Sequence, residues 1–380
     1  MTHRLNIHIY SSEIRNETRI FKETSSIVRL GLTDKILIIG VLGQGLAQKE
    51  LIDENREIYR VKLFMNRFRK SKIVDVLKFV EFLVVVVFRF VQRKPEYVNF
   101  HSLAVLPLAP FFKLFAKSYI IYDAHELETE KAGINGMLKK MSKISERFLV
   151  KFVDKIIVVS DSIAQWYKEA YPGKEIFVVR NIPHNSGAAV LHNNELKQRL
   201  GIKESEILFI YQGLINMGRG IQKLLDTFIE LPEEKHILFM GFGKDTDSVN
   251  EYSKKYKNIH YHPAVPYNAI QKITAGADVG FSILDNSCLN HYFCLPNKFF
   301  EYILSGVPVI ASNFPDMSKV IESTKFGWTS SPERGALLNL INSISIDEIN
   351  IKKALIQNGH DQFGWQIEEK NYPLVFTKYK

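Results

Sequence analysis

Leu295-Pro296-Asn297-Lys298-Phe299-Phe300-Glu301-Tyr302, followed two residues later by Ser305-Gly306-Val307-Pro308-Val309-Ile310, reads as a proline-opened helix, a glycine stop and a short buried strand. Pro296 lacks the N–H that a first helical turn leaves unbonded in any case, and Gly306 ends the helix before the β-branched run. Such a helix start offers free N–H groups and a positive dipole end beside Lys298, a site suited to phosphate. Glu301 follows Lys298 by three residues and Asn297 by four, so the three share one helical face. A cation and a helix start for phosphates, with a carboxylate one turn deeper for hydroxyls, fit a nucleotide-sugar grip. The same spacing also serves a plain amphipathic helix in which Lys298 and Glu301 pair with each other.

Outward from this stretch the chain alternates short β-branched runs with helical patterns. Strands are predicted at 6–10, 35–41, 97–100, 119–123, 155–159 and 176–179, then at 207–212, 236–240, 259–261, 279–283 and 307–311. That rhythm implies parallel strands joined by crossover helices, an open α/β sheet. It lapses over 181–196, where Asn181-Ile182-Pro183-His184-Asn185-Ser186-Gly187 and His192-Asn193-Asn194 are turn chemistry. A 380-residue chain exceeds one ordinary core. The expected division is 1–185 and 186–360, two Rossmann-like domains facing a cleft. Residues 361–380 form a final helix, from His360 through Trp365 to Tyr379, that packs back toward the first domain.

Composition narrows the function classes. A hydrophobic fraction of 46% supports large cores rather than disorder. Two cysteines, Cys288 and Cys294, make neither a disulfide framework nor a zinc site, and fit a reducing cytoplasm. The N-terminus lacks a secretory pattern. Residues 1–185 hold 30 Lys and Arg against 20 Asp and Glu and the remainder 20 against 21, so all the positive excess behind the net charge of +9 lies in the first half. Arg60, Lys62, Arg67, Arg69, Lys70 and Lys72 form a basic strip with no acid among residues 58–74. The adjoining apolar run Ile73–Val91 carries Asp75, Lys78, Glu81 and Arg89, and Leu103–Phe115 is broken by two prolines and Lys113. Both are poor transmembrane spans. A basic strip beside apolar helices predicts peripheral attachment to an anionic membrane surface on its cytoplasmic side. The competing reading packs both runs inside the domain. Nucleic acid is not expected, since the strip has few interleaved aromatics and no recognised motif.

Three loops of the second half follow strands. Gly213-Leu214-Ile215-Asn216-Met217-Gly218-Arg219-Gly220 allows close backbone approach, and Arg219 can fork onto phosphate oxygens. Gly241-Phe242-Gly243 suits a base or ribose lying against the backbone. The Lys298/Glu301 helix is the third. In the first half, Tyr122-Asp123-Ala124-His125-Glu126 closes a strand, and a strand-end imidazole can bond a sugar or a reacting oxygen. Asp123 as a helix cap and His125 satisfied by backbone is the alternative there. A metal held by Asp123, His125 and Glu126 is disfavoured because consecutive residues rarely converge on one ion. The loop after the first strand, with Glu13, Arg15, Asn16 and Arg19, offers polar groups to an acceptor or to phosphates. No glycine fingerprint opens the first helix, which disfavours dinucleotide oxidoreduction.

Taken in order, Gly213…Arg219-Gly220, Gly241-Phe242-Gly243, His262-Pro263-Ala264-Val265-Pro266, Ala277-Asp278-Val279-Gly280, Pro296-Asn297-Lys298-Phe299-Phe300-Glu301-Tyr302 and Ser305-Gly306-Val307-Pro308-Val309-Ile310-Ala311-Ser312 resemble GT-B glycosyltransferases of family 4. Arg15…Arg19, Tyr122-Asp123-Ala124-His125-Glu126, Val158-Val159-Ser160 and Arg180-Asn181 extend the resemblance, more loosely, over the first half. It implies the GT-B fold and retaining transfer of a sugar from a nucleotide diphosphate sugar, with no cofactor and no catalytic metal. On the matching positions it implies that Arg219 and Lys298 hold the diphosphate as its charge develops. Glu301 would bind the ribose, with Gly213, Gly241 and Asn297 completing the donor site. His125 would face the transferred sugar, with Arg15, Asn16 and Glu126 on the acceptor side. The variant motif is similar to members that build bacterial surface polysaccharides, lipopolysaccharide or capsule, on lipid-linked saccharides. The chain departs from the pattern in three places: Phe293 stands where many members have a first glutamate, Leu214 where many have arginine, and Ser11-Ser12-Glu13-Ile14-Arg15-Asn16 replaces the glycine-rich first loop. Alternatives are a nucleotide-sugar epimerase of the same architecture and a non-catalytic membrane-associated scaffold.

Overall fold

Every β-branched run anticipated as a strand is one, and three more strands complete the two sheets. The computed structural model describes residues 4–69, 71–185 and 193–378. Lys70 of the basic strip, Ser186, Gly187 and His192 of the expected linker, and the terminal Tyr379 lie outside the described residues.

The chain divides into two compact units, one running to Val179 and resumed from Glu369, the other Arg180–Glu368. The first boundary precedes the expected one because 180–185 belong to the second unit. Ile182 is buried in its core, and the Pro183 carbonyl accepts from Trp365 N–H at 2.9 Å. The expected final helix is a series of short turns. Trp365–Glu368 stays with the second unit, and only Glu369 onward, ending in the helix Tyr372–Phe376, joins the first. Gly364 and Pro373 interrupt the periodicity that suggested one helix.

The first unit is built on β1 (Leu5–Ile9), β2 (Lys35–Val41), β3 (Lys49–Leu51), β4 (Arg56–Val61), β5 (Tyr97–Phe100), β6 (Tyr119–Ala124), β7 (Lys155–Val158) and β8 (Glu175–Val178), in the order β3-β4-β2-β1-β5-β6-β7-β8. All neighbours pair parallel except β3 with β4. β4 corrects the reading of the basic strip. Arg60 lies on this strand and is buried, its guanidinium donating to the carbonyls of Glu13 and Ile14 at 2.7 Å and pairing with Glu50. It braces the loop after β1 rather than facing solvent.

The first apolar run lies mostly at the surface of this unit, whereas the second packs Val105, Leu106, Leu108 and Phe112 inside it. The helix Lys72–Phe90, capped by Ser71, buries only Phe82, Val86 and Phe90, a stripe at intervals of four residues. Ile73, Val76, Leu77, Val80, Val84 and Phe88 are exposed, Phe88 to 77%. Phe111, Leu114 and Phe115 are exposed in the second run. A further helix, Gly136–Leu149, buries Glu146 and Leu149 and exposes Met137, Leu138, Met141, Ile144 and Phe148. Among the described residues no helix is long and apolar enough to cross a membrane.

The second unit holds β9 (Ile207–Leu214), β10 (Lys235–Phe242), β11 (Ile259–Pro263), β12 (Val279–Ser282), β13 (Val309–Ser312) and β14 (Gly327–Ser330) in the parallel order β11-β10-β9-β12-β13-β14. Strand alternation splits its core in two. Leu208 and Ile210 face one cluster, with Phe299, Phe300 and Tyr302, while Phe209 and Tyr211 face the other, with Phe228 and Phe281.

Candidate functional site

The helix Asn297–Leu304 follows Pro296, and its end is a glycine motif. Gly306 N–H bonds the Ile303 carbonyl at 3.0 Å, Val307 N–H bonds that of Tyr302 at 3.0 Å, and Gly306 is left-handed at φ 76°. Phe299, Phe300, Tyr302 and Ile303 anchor the helix in the core, and Gly280 on β12 leaves the space that the Tyr302 ring fills. At its start Asn297 is exposed and no side chain caps the first turn. Its opening amides are the donors an anion would use.

Lys298 is buried with its Nζ 3.8 Å from the centre of the Tyr211 ring, and that Nζ has no hydrogen-bond partner. It does not pair with Glu301, so the plain-helix alternative is not what this fold builds. Burial first, and the Arg219 charge second, hold the Lys298 ammonium well below the ordinary lysine range. A guanidinium and a buried, unbonded amine whose protonation it opposes form a site short of negative charge.

Arg219 is half-exposed in the loop between β9 and the helix Ile221–Glu230, which begins at left-handed Gly220. Gly213, at φ 111°, has open space where a side chain would stand. Gly241 has a packing reason instead: a Cβ there would lie 1.8 Å from the Gly213 carbonyl oxygen across the β9–β10 pair. Glu301 accepts from Gln212 Nε2 at 2.6 Å, while Gln212 Oε1 accepts from Thr274 at 2.6 Å and Gln212 N–H bonds Tyr302 Oη at 2.9 Å. Gln212 therefore orients the carboxylate. Tyr267 stands near it, its phenol pushed up to about 12 by burial and then by the Glu301 charge. Phe293 is half-buried just past the short helix Leu289–Tyr292. His291 of that helix lies beside Gly218 and meets Ser287 at 3.0 Å. Gln212, Tyr267 and His291 escaped the sequence reading. Only Gln212, a polar residue inside an apolar strand, carried a legible signal.

In the first unit the expected residues separate. Arg15 and Asn16 are exposed, and Arg15 is engaged by Glu13 and by the Gln44 carbonyl. Glu126 is exposed and pairs with Lys131 at 3.1 Å. Arg19, anticipated as a loop group for phosphates, is buried on the helix Thr18–Arg29 and grips both oxygens of Asp123, at 2.8 and 3.2 Å. Asp123 caps no helix: it is buried inside β6. His125 is half-buried, and its Nε2 lies 2.9 Å from Asp123 Oδ2.

Behind them lies a polar line that the sequence reading missed. His101 Nδ1 is 2.9 Å from the same Asp123 oxygen and 3.0 Å from His125 Nε2. His101 Nε2 is 2.8 Å from His8 Nδ1, and His8 Nε2 is 3.0 Å from Asn6 Nδ2. Glu23 pairs with Arg19 at 2.8 Å. Burial pushes Asp123 up, but Arg19, His125 and the imidazole hydrogen bonds outweigh it and hold the carboxyl well below its usual range. Burial, then the Asp123 charge, raise Glu23 well above its own. Burial lowers His101 to about 4 and His8 well below the usual imidazole range. The donor atoms of His101, Asp123 and His125, and those of His8, Glu23 and His101, are close enough to share a cation. The Arg19 guanidinium already matches the Asp123 charge, and a cation would have to lodge against it.

The fold is GT-B, two units each built on a mostly parallel sheet with helices. Sucrose-phosphate synthase from Thermosynechococcus elongatus matches at a TM-score of 0.79 and 12% identity, over 98% of each chain. HepE from Anabaena, solved in complex with UDP and glucose, matches at 0.74 and 13% identity over 98% of this chain and 99% of that one. The lipopolysaccharide outer core galactosyltransferase WaaB matches at 0.66 and 13% over 98% and 99%. Among curated proteins the chain is 22% identical to alpha-monoglucosyldiacylglycerol synthase of Streptococcus pneumoniae over 187 residues, 46% of this chain. The match spans only 41% of that relative's length. No protein-family model matches the chain.

Proposed function

We propose that the chain is a glycosyltransferase that moves a sugar from a nucleotide diphosphate sugar to a saccharide acceptor, with retention and without a catalytic metal. The observation that carries this is Lys298, a buried amine with no hydrogen-bond partner, beside Arg219 and an uncapped helix start. A diphosphate supplies the negative charge these groups lack, and its charge grows as the bond to the sugar breaks, so they bind the departing group best at that moment. Glu301, oriented by Gln212, takes ribose hydroxyls. As the glycosidic bond forms, the departing diphosphate receives the proton of the incoming hydroxyl, and no protein nucleophile is needed. His125 bonds a hydroxyl of the transferred sugar, and Arg15, Asn16 and Glu126 contribute on the acceptor side. Phe293, in place of a carboxylate, alters the contact to the donor sugar.

We further propose a lipid-linked acceptor, met by a peripheral enzyme on the cytoplasmic face of the membrane during surface-polysaccharide assembly. The apolar faces of Lys72–Phe90 and Gly136–Leu149, with Arg67, Arg69, Lys72 and Lys140 nearby in the chain, have the composition of an interfacial surface. A nucleotide-sugar epimerase has no use for such a surface, which favours transfer.

A thermal-shift screen of uridine, guanosine and other nucleotide sugars tests the donor. A ligand at a hundred times its dissociation constant stabilises by about 2.7 kcal/mol. At least one is expected to raise the melting temperature, and Lys298→Ala and Glu301→Ala to abolish that shift while the protein stays folded. Equal shifts and turnover in both variants would overturn the assignment.

A further inference from the structure

We infer that Asn6, His8 and His101 form a one-directional hydrogen-bond relay that ends on Asp123, and that the Asp123 carboxylate holds His125 with its proton on Nε2 and leaves Nδ1 to accept from a hydroxyl, so that Asp123 is the positioning residue for His125.

The direction follows from its charged end. Asp123 is gripped by the Arg19 guanidinium through both oxygens, so it is a carboxylate and can only accept. His101 Nδ1, 2.9 Å away, must therefore carry a proton. Buried and neutral, His101 then has a bare Nε2, which must accept from His8 Nδ1 at 2.8 Å. That leaves His8 Nε2 bare, and it accepts from the Asn6 amide at 3.0 Å. Each tautomer is dictated by the one before it. His125 Nε2, 2.9 Å from the same Asp123 oxygen, is subject to the same requirement, so its 3.0 Å approach to His101 Nδ1 is two donors converging on one acceptor and not a hydrogen bond between the rings.

Sheet geometry explains why these groups meet. Asn6 and His8 alternate on β1, and Asp123 and His125 alternate at the end of β6. His101 directly follows β5, which lies between those strands. All occupy positions where a parallel sheet ordinarily buries aliphatic side chains. Arg19 and Glu23, four residues apart, cover the line from the helix Thr18–Arg29. Tyr372 of the C-terminal helix stands beside Glu23, and the Tyr10 ring lies 5.6 Å from His125. Asp123 and Glu23 face a single arginine, so the spare proton stays on Glu23 and the cluster is close to neutral. Buried polar groups whose partners are dictated in this way hold one geometry, because any other leaves a donor or acceptor unmet.

The role of His125 toward a sugar hydroxyl rests on the proposed transfer. The relay does not, and the experiment separates them. In the full-length protein labelled with ¹⁵N at histidine, long-range ¹H–¹⁵N spectra should show His8 and His101 neutral and protonated on Nδ1, without titration from pH 8 to about 5. His125 should be protonated on Nε2. Protonation of His101 on Nε2, or titration of His101 in the ordinary imidazole range, would overturn the relay. So would stoichiometric zinc binding that shifts the His101 and His125 signals together. His101→Leu, which leaves the Asp123 carboxylate facing His125, should keep His125 protonated on Nε2, whereas Asp123→Asn, whose amide can present either a donor or an acceptor, should release His125 to both tautomers. In the transferase assay Asp123→Asn should lose about tenfold or more in kcat with little change in KM and a displaced pH profile, recovered in part by Asp123→Glu, which keeps the carboxylate. An unchanged profile in Asp123→Asn would refute the positioning role. If Asp123→Asn fails to fold, the tautomers of the unaltered protein decide the matter.

Discussion

Lys298 sets its Nζ 3.8 Å above the Tyr211 ring and finds no hydrogen-bond acceptor there. Desolvation lowers its proton affinity, and Arg219 lowers it further. Between the depressed native value and the ordinary lysine value, the folded chain holds fewer protons here than the unfolded chain, so this group's contribution to stability rises with pH across that window. Lys298→Met should therefore be at least as stable as the parent at neutral pH while losing nucleotide affinity about 10- to 100-fold, the range for a charge-assisted contact. Thermal melts beside binding isotherms check both halves.

The same repulsion makes donor binding proton-linked. A diphosphate between Arg219 and Lys298 favours the charged ammonium, so binding should take up protons at pH values above the depressed native value. Calorimetry in two buffers of different ionisation enthalpy measures the uptake. Zero uptake from pH 6 to 9 would show that Lys298 is already charged or that the phosphates bind elsewhere.

Gln212 holds the Glu301 carboxylate at 2.6 Å and is itself held by Thr274. Gln212→Val should cost about 1–3 kcal/mol of stability through the unmet Thr274 hydroxyl and should weaken discrimination of ribonucleotide from its deoxy analogues. Competition binding with both nucleotides reads the second effect. Unaltered discrimination beside a parent that does discriminate would remove Gln212 from the site.

Asp123 and Glu23 should answer to pH with opposite signs. The native value of Asp123 is depressed, so its stabilising contribution is present above the unfolded carboxylate value and is lost as pH falls through the native one. Glu23 is raised, so its contribution is greatest in acid and fades as pH rises. Asp123→Asn, which leaves Arg19 buried without its main partner, should cost about 3–5 kcal/mol. Glu23→Gln should cost far less, and least at alkaline pH. Denaturant melts from pH 4 to 9 distinguish them.

Phe88 and Met137 are 77% and 79% exposed on two apolar helix faces. Phe88→Asp with Phe148→Asp should lower binding to anionic vesicles at least about tenfold, given roughly 1.5–3 kcal/mol for burying each large apolar side chain. Raised salt should weaken the parent's binding through its basic residues. Sedimentation that ignores lipid charge, salt and both substitutions would exclude this surface.

Local patterning carried the strands, because β-branched runs bounded by turn residues leave few alternatives. It failed at β4, where Arg60 read as part of a basic strip until the loop after β1 supplied carbonyls for it. It failed again at β14, a four-residue strand opened by Gly327. A Cβ there would lie 2.0 Å from the Val309 carbonyl oxygen, a constraint that exists only once β13 is its neighbour. The residues proposed to hold the donor were legible because one helix start and one loop each concentrate them. His8 and His101 were not, since each looked like a solitary polar residue at a strand.

By itself the amino-acid order determined the two α/β halves, the proline-to-glycine helix bearing Lys298 and Glu301, and the glycine loop bearing Arg219. All of these rest on contacts within a few residues, where dihedral preference and periodicity suffice. Tertiary structure alone decided that Lys298 is unbonded, that Arg19 faces inward onto Asp123, and that histidines 93 residues apart touch. Those outcomes depend on which strands lie side by side and on how much water burial removes, and neither is encoded in any single segment.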